Sequence, residues 1–192
     1  MFSEMTKKEQ IQHAAQELFW KHGFKRVSVE EISKKSHVSR KTFYSYFENK
    51  NALVIFILTV FNKELLCVYN DIIESELSFK EKLSKLLKLK FESSESFSKE
   101  FIADFFNPEA ADILAYFTQV AEESMQMTKN FFLKGQESGE INSNLNIDYL
   151  MWMMQKQLEL IKSPELLSMF PDAESMTRQI TESVIYGIMP PK

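Results

Sequence analysis

The sequence predicts an all-α protein. Glycine and proline, which interrupt regular structure, occur only 4 and 5 times in 192 residues. Apolar residues recur at the three- and four-residue spacing of helices and do not alternate as they do in strands. Serine, threonine, asparagine and aspartate stand where these apolar stripes begin, as helix N-caps do.

Composition and cysteine content predict a soluble chain in a reducing compartment. Hydrophobic residues make up 44% and charged residues 26% of the sequence, which is enough to bury a core. We expect no membrane partner, because no apolar run approaches the ~20 residues that span a bilayer and the N-terminus lacks the apolar centre of a signal peptide. The single cysteine, Cys67, excludes an internal disulfide and is expected in the core. The expected location is the cytoplasm.

The charge is unevenly distributed along the chain. Residues 1–50 hold ten Lys and Arg against six Asp and Glu, whereas residues 51–192 hold thirteen against twenty-one. A small basic segment therefore precedes an acidic body within a chain of net charge −4. A basic segment of this kind predicts a polyanionic partner.

The first predicted helix lies between a capping box, Thr6 with Glu9, and the terminating glycine Gly23. Its apolar stripe consists of Ile11, Ala14, Ala15, Leu18 and Phe19. This spacing matches one face of an amphipathic helix.

Two shorter helices follow. A second capping box, Ser28 with Glu31, begins one of them, and Ser39 caps the other, which continues to about Tyr46. Two short helices with a tight turn between them have the spacing of a helix-turn-helix.

A longer helix is expected after Asn49, because apolar residues keep the helical period as far as Ile72. Further helix starts are expected at Ser78, Ser98, Asn107, Asn146, Ser163 and Asp172. The segments ESSES and SGEINSNLN are predicted to be loops.

The helix after Ser39 carries side chains that suit DNA. Arg40 can donate two hydrogen bonds to guanine, Thr42 can contact a thymine methyl or a phosphate, and Tyr44 can donate its hydroxyl to a phosphate. Lys50, in the first turn of the next helix, can attract a phosphate together with the free backbone amides there. Val38, Phe43 and Phe47 are expected to point inward.

The stretch IQHAAQELFWKHGFKRVSVEEISKKSHVSRKTFYSYFENKNALV, residues 11–54, resembles the DNA-binding domain of TetR/AcrR-type transcriptional regulators. The matched features include A-x-x-L-F, Gly23 with Phe24, the FYSYF run and F-x-N-K-x-x-L. The resemblance implies a three-helix, helix-turn-helix DNA-binding domain over residues 1–48. It implies a helical effector-binding and dimerisation domain over residues 49–192.

The same resemblance assigns the DNA contacts. They fall on Ser28, Arg40, Lys41, Thr42, Tyr44, Ser45, Tyr46 and Lys50. Two residues depart from the family pattern, since His37 and Lys41 stand where glycine is common. We expect His37 to adopt a left-handed backbone conformation, which histidine tolerates better than most residues.

The acidic body is rich in large, soft side chains of the kind that line apolar ligand pockets, although plain core packing explains each of them too. The candidate pocket residues are Phe101, Phe105, Tyr116, Phe117, Met125, Phe131 and Trp152. Four carboxylates could recognise a cationic ligand at the pocket edge, and a solvated face explains them equally well: Asp104, Asp112, Glu122 and Glu123.

The last two predicted helices carry apolar stripes that could pair two subunits as a four-helix bundle. The candidate dimer residues are Leu150, Met154, Leu158, Ile161, Ile180, Ser183, Val184 and Gly187. A symmetric dimer would present two copies of the helix after Ser39 to successive major grooves and would require a palindromic operator.

These features predict a dimeric DNA-binding regulator, most often a repressor in the resembled family, released from double-stranded DNA by a small and largely apolar effector. The alternative is an effector-independent DNA-binding structural or accessory protein with the same helix-turn-helix. We expect no enzyme, catalytic residue, cofactor or metal, because no nucleophile and base pair, glycine-rich phosphate loop or metal-ligand spacing is evident.

Overall fold

The fold was obtained as a computed structural model, which describes residues 5–105, 111–160, 163–172, 175–176 and 178–180. These residues form α-helices and connecting turns without any strand, so the all-α prediction is confirmed. The helices are α1 Lys7–His22, α2 Val29–Lys35, α3 Arg40–Tyr46, α4 Lys50–Glu74, α5 Phe79–Ser94, α6 Lys99–Phe105, α7 Ala111–Glu137, α8 Ile147–Leu160 and α9 Pro164–Ser168.

The helices begin where the local capping signals predict. Thr6, Ser28 and Ser78 each form a complete capping box with the glutamate three residues later. Ser39 and Ser163 accept from the backbone amide three residues on, and so satisfy one of the free donors of the first turn. The start expected at Asn107 lies outside the described residues.

Two of the predicted connecting segments have different outcomes. SGEINSNLN follows the end of α7 and is a loop, as expected. ESSES is mostly helical, because α5 continues to Ser94. Serine is a weak helix former but does not by itself terminate a helix whose apolar face is packed.

Helix α4 is longer and more apolar than the composition suggested. By length and composition it is the one helix, within the described residues, that could cross a membrane, so the expectation that no segment approaches that length is wrong. A mostly buried core helix of a soluble protein passes the same test, so one such helix does not by itself indicate a membrane span; here 22% of the most apolar window is buried. Leu53, Val54, Ile57 and Leu58 of its first half are buried.

The first of two compact units comprises residues 1–64 and 96–117. It contains the predicted DNA-binding segment, the first half of α4, α6 and the start of α7. Its core includes Phe19, Ile32, Phe43, Leu53 and Phe101, each with no exposed surface. Aromatic rings connect its helices: Trp20 of α1 has ring centroids 5.7 Å from Phe61 of α4 and 4.6 Å from Phe101 of α6.

The second unit comprises residues 65–95 and 118–192. Its buried cluster joins Phe132 of α7 to residues of α8: Ile147, Leu150 and Met151. Phe79 of α5 stacks on Phe131 of α7 at 4.5 Å. Tyr69 of α4 donates its hydroxyl to the carbonyl of Met127 in α7. Cys67 is exposed, so the expectation of a core cysteine is wrong.

Candidate nucleic-acid interface

A tight turn joins α2 to α3 and fixes the direction in which α3 leaves it. Ser36 is fully buried, and its hydroxyl donates to the carbonyl of Ile32 at 2.8 Å. His37 has φ +55°, so the predicted left-handed conformation is confirmed. The amide of Val38 then donates to the carbonyl of Ser33, which closes the turn before Ser39 caps α3.

One face of α3 is in the core and the other is exposed. Phe43 has no exposed surface, and Val38 and Phe47 are 7% and 5% exposed, as predicted. The exposed side chains are Arg40, Lys41, Tyr44, Ser45 and Tyr46, while Thr42 is half-buried. The burial of Phe43 therefore fixes which side chains α3 presents to a binding partner.

The polar groups of this face differ in how much of their hydrogen-bonding capacity is used. The hydroxyls of Ser39 and Thr42 lie 2.9 Å apart, and the Ser45 hydroxyl donates to the carbonyl of Thr42. The guanidinium of Arg40 and the ammonium of Lys41 form no hydrogen bond or ion pair with any described residue. Both cations remain available for an external anion.

Ser28 and Lys50 are bound within the chain. The Ser28 hydroxyl donates to the Glu31 carboxylate and accepts from the Glu31 amide, so it is the cap of α2 and is also exposed. The Lys50 ammonium donates to the carbonyls of Lys25 and Val27 at 3.0 and 2.9 Å. Partial burial lowers the pKa of this lysine, and the charge of Asp104 opposes that effect.

Asp104 of α6 contacts the turn between α1 and α2, which no sequence signal suggested. Its carboxylate accepts from the amide of Lys25 at 2.7 Å. Burial raises the pKa of Asp104, and the bond from that amide counteracts the effect. Gly23, with φ +75°, lies against this carboxylate, so a side chain there would collide with it. The Asp104 carboxylate and the Lys25 amide are 79 residues apart in the sequence, so no local sequence pattern predicts this contact.

The candidate pocket residues are divided between the two compact units. Phe101, Tyr116 and Phe117 pack in or against the core of the first unit. Met125 packs against the buried cluster of the second unit, and Phe131 is buried there. Phe101 is a core residue. It packs against the rings of Trp20, Phe24 and Phe97 and has no exposed surface to offer a ligand. The side chain of Phe105 lies outside the described residues.

Two residues of α8, Leu150 and Trp152, do not have the exposure that their predicted roles require. Leu150, expected at a dimer interface, is 2% exposed and packs inside its own subunit, so it has no surface left for a partner. Trp152, expected in a pocket, is 55% exposed and stacks on exposed Tyr149. Met154 packs against the cluster of the second unit, and Ile180 is half-buried.

The remaining dimer candidates are not described. The side chain of Leu158 and the whole of Ile161, Ser183, Val184 and Gly187 lie outside the described residues. Of the four carboxylates considered for a cationic ligand, Asp104 and Asp112 are occupied within the first unit, the latter by the Asn51 amide at 3.0 Å. Glu122 and Glu123 are exposed.

Comparison with known proteins places the helix-turn-helix in a family. Residues 11–55 match the family model described as bacterial regulatory proteins, tetR family. The HTH-type transcriptional regulator YdgC of Bacillus subtilis (strain 168) is 25% identical over 190 residues, which cover 96% of this chain and 93% of that protein.

Solved structures show the same fold over nearly the whole chain. A transcriptional regulator of the TetR/AcrR family superimposes with a TM-score of 0.74 at 21% identity, over 95% of this chain and 98% of its own. The regulator FadR of Bacillus subtilis, in complex with stearoyl-CoA, superimposes with a TM-score of 0.63 at 21% identity, over 94% of this chain and 99% of its own.

Proposed function

Since the chain belongs to the TetR family of transcriptional regulators, we propose that it is a homodimeric repressor that a small-molecule effector releases from a palindromic operator. As a DNA-binding regulator, it is proposed to act in the cytoplasm. The observation that carries this proposal is the exposed face of α3. It presents Arg40 and Lys41, which have no described partner, and the buried Phe43 fixes its orientation.

The exposed face of α3 suits the major groove of DNA. Arg40 lies at the first position of the helix, where its guanidinium can reach a guanine edge with two parallel hydrogen bonds. Lys41, Ser45 and the hydroxyls of the two exposed tyrosines can contact phosphates on either side. Thr42 of the same helix, with Ser28 and Lys50 at the starts of α2 and α4, completes the proposed contact set.

A homodimer would present two such helices to one face of the duplex. Successive major grooves of B-DNA are about 34 to 36 Å apart, and two-fold symmetry then requires an inverted repeat. The exposed aromatic pair Tyr149 and Trp152 on α8 supports an interface there, since exposed aromatic side chains are typical of the centres of protein interfaces.

Effector control is proposed because a transcriptional regulator of similar fold was solved with a ligand bound. FadR of Bacillus subtilis was solved with stearoyl-CoA. Effector binding would favour a state in which the two α3 helices no longer match adjacent grooves, and α4, which contributes residues to both compact units, would connect the two events. A hundredfold loss of operator affinity requires only ~2.7 kcal/mol of preference for the released state.

Selection of bound duplexes from a random pool tests the proposal. We expect an enriched inverted repeat whose half-site centres lie about 10 base pairs apart, one turn of the duplex. Arg40→Ala should lose preference at one base of each half-site, whereas Lys63→Ala, which removes an exposed charge from α4, should select the wild-type sequence. Failure of the wild-type protein to enrich any sequence would contradict the proposed function.

A further inference from the structure

The turn between α1 and α2 carries two adjacent cations on its surface. Phe24 and Val27 are 2% and 1% exposed, and both belong to the core of the first unit. Lys25 and Arg26 lie between these two buried residues, and both are exposed. The core therefore fixes the position of a turn from which two basic side chains extend.

Side chains of two other helices hold the backbone of this turn. The Lys50 ammonium of α4 donates to the carbonyls of Lys25 and Val27 at 3.0 and 2.9 Å, one on each side of Arg26. The Asp104 carboxylate of α6 accepts from the amide of Lys25 at 2.7 Å. The backbone at Arg26 is therefore fixed while its side chain is exposed. A fixed backbone reduces the conformational entropy that is lost when the side chain binds a partner.

The donors of the Arg26 guanidinium are not used within the described part of the chain. The guanidinium forms no hydrogen bond or ion pair with any described residue. Hydrogen bonds from the Ser28 amide and hydroxyl lower the pKa of the Glu31 carboxyl, and the charge of Arg26 adds to that effect. Glu31 is nevertheless bonded to Ser28, at 2.8 and 2.9 Å, and not to Arg26. The guanidinium donors therefore remain available for an external acceptor.

Arg26 lies next to two residues of the proposed DNA contact set. The Lys50 ammonium contacts the carbonyls that flank Arg26, and Ser28, two residues further on, is the exposed N-cap of α2. In helix-turn-helix proteins the second helix lies in the major groove while the first crosses the phosphate backbone. A cation just before the start of α2 is therefore expected to meet phosphates, and a guanidinium can donate two parallel hydrogen bonds to one phosphate.

We propose that Arg26 is a further DNA contact, whose guanidinium binds a backbone phosphate of the duplex beside the phosphate that Lys50 contacts. This inference rests on the proposed function and adds to it a residue outside both helices of the helix-turn-helix. The contact positions the protein on the duplex and reads no base, because a phosphate is the same at every step of the sequence.

Titration of the full-length protein with the selected operator at several salt concentrations tests this inference. In Arg26→Gln, the loss of one phosphate contact per subunit should lower the slope of log affinity against log salt concentration by about 2 for the dimer. Affinity should fall by a similar factor for the operator and for duplexes of unrelated sequence. Arg26→Lys keeps the positive charge, so it should retain the wild-type slope.

Two controls separate the phosphate contact from other effects of the substitution. Lys63→Gln removes an exposed charge from α4 and should leave the salt slope at its wild-type value. The urea midpoint of Arg26→Gln should match that of wild type, because Arg26 is exposed and donates no hydrogen bond to a described residue. A lower slope together with an unchanged midpoint then reports on binding and not on folding.

Three results would overturn the inference while the proposed function stands. They are an unchanged salt slope in Arg26→Gln, an equal loss of slope in Lys63→Gln, and a changed base preference in Arg26→Gln, which would place the guanidinium on a base edge. Each of them requires that the wild-type protein binds the operator. Absence of duplex binding by wild type at low salt would instead refute the proposed function, and this inference with it, so the two failures are distinguishable.

Discussion

Lys50 has two possible roles that one substitution can separate. In the structure its ammonium donates to the carbonyls of Lys25 and Val27, and so holds the turn before α2 against the start of α4. An ammonium has three donors, so the third can still contact a phosphate. Lys50→Met keeps the length of the side chain and removes all three donors.

The expected losses can be worked out for each role. Hydrogen bonds to a charged group contribute about 1.5–3 kcal/mol each when buried, and the half-exposed position of Lys50 reduces the pair to about 2 kcal/mol in total. Loss of one phosphate contact per subunit should lower the slope of log affinity against log salt concentration by about 2 for the dimer.

Urea unfolding measures the first quantity and operator titration at several salt concentrations measures the second. Lys63→Met is the matched control, because Lys63 is an exposed lysine of the same helix with no described contact to the turn. An unchanged salt slope in folded Lys50→Met would refute the phosphate contact. An unchanged free energy of unfolding would refute the role of Lys50 in holding the turn.

Two further predictions concern stability and assembly. Gly23→Ala should lower the free energy of unfolding in urea by about 3 kcal/mol or more. The backbone at Gly23 has φ +75°, and a Cβ there would lie 2.5 Å from the Asp104 carboxylate. A loss below about 1 kcal/mol would contradict this geometry. Trp152→Ala should raise the dissociation constant of the dimer about tenfold or more in sedimentation experiments, because it truncates an exposed aromatic side chain at the proposed interface. An unchanged dissociation constant would place the interface elsewhere.

Local signals were sufficient to predict most helix boundaries and the exposed face of α3. Capping boxes at Thr6, Ser28 and Ser78 act within four residues, so the sequence alone contains them. The left-handed conformation of His37 was predictable from the resemblance, because a position at which the family favours glycine usually requires positive φ.

The contacts that the sequence did not reveal are long-range. The carbonyl partners of Lys50 lie 25 and 23 residues away, and the amide partner of Asp104 lies 79 residues away. Helical periodicity also cannot tell a stripe that faces its own core from one that faces a partner. For this reason the sequence predicts Leu150 at a dimer interface although it is buried, and Trp152 in a pocket although it is exposed.

The measurement that tests the central claim most directly is the affinity of wild type and Arg40→Ala for the selected operator and for duplexes with single base changes. If α3 lies in the major groove, one base change per half-site should cost wild type about 1–3 kcal/mol and cost Arg40→Ala almost nothing at that position. Equal penalties for the two proteins at every position would contradict the insertion of α3 into the groove.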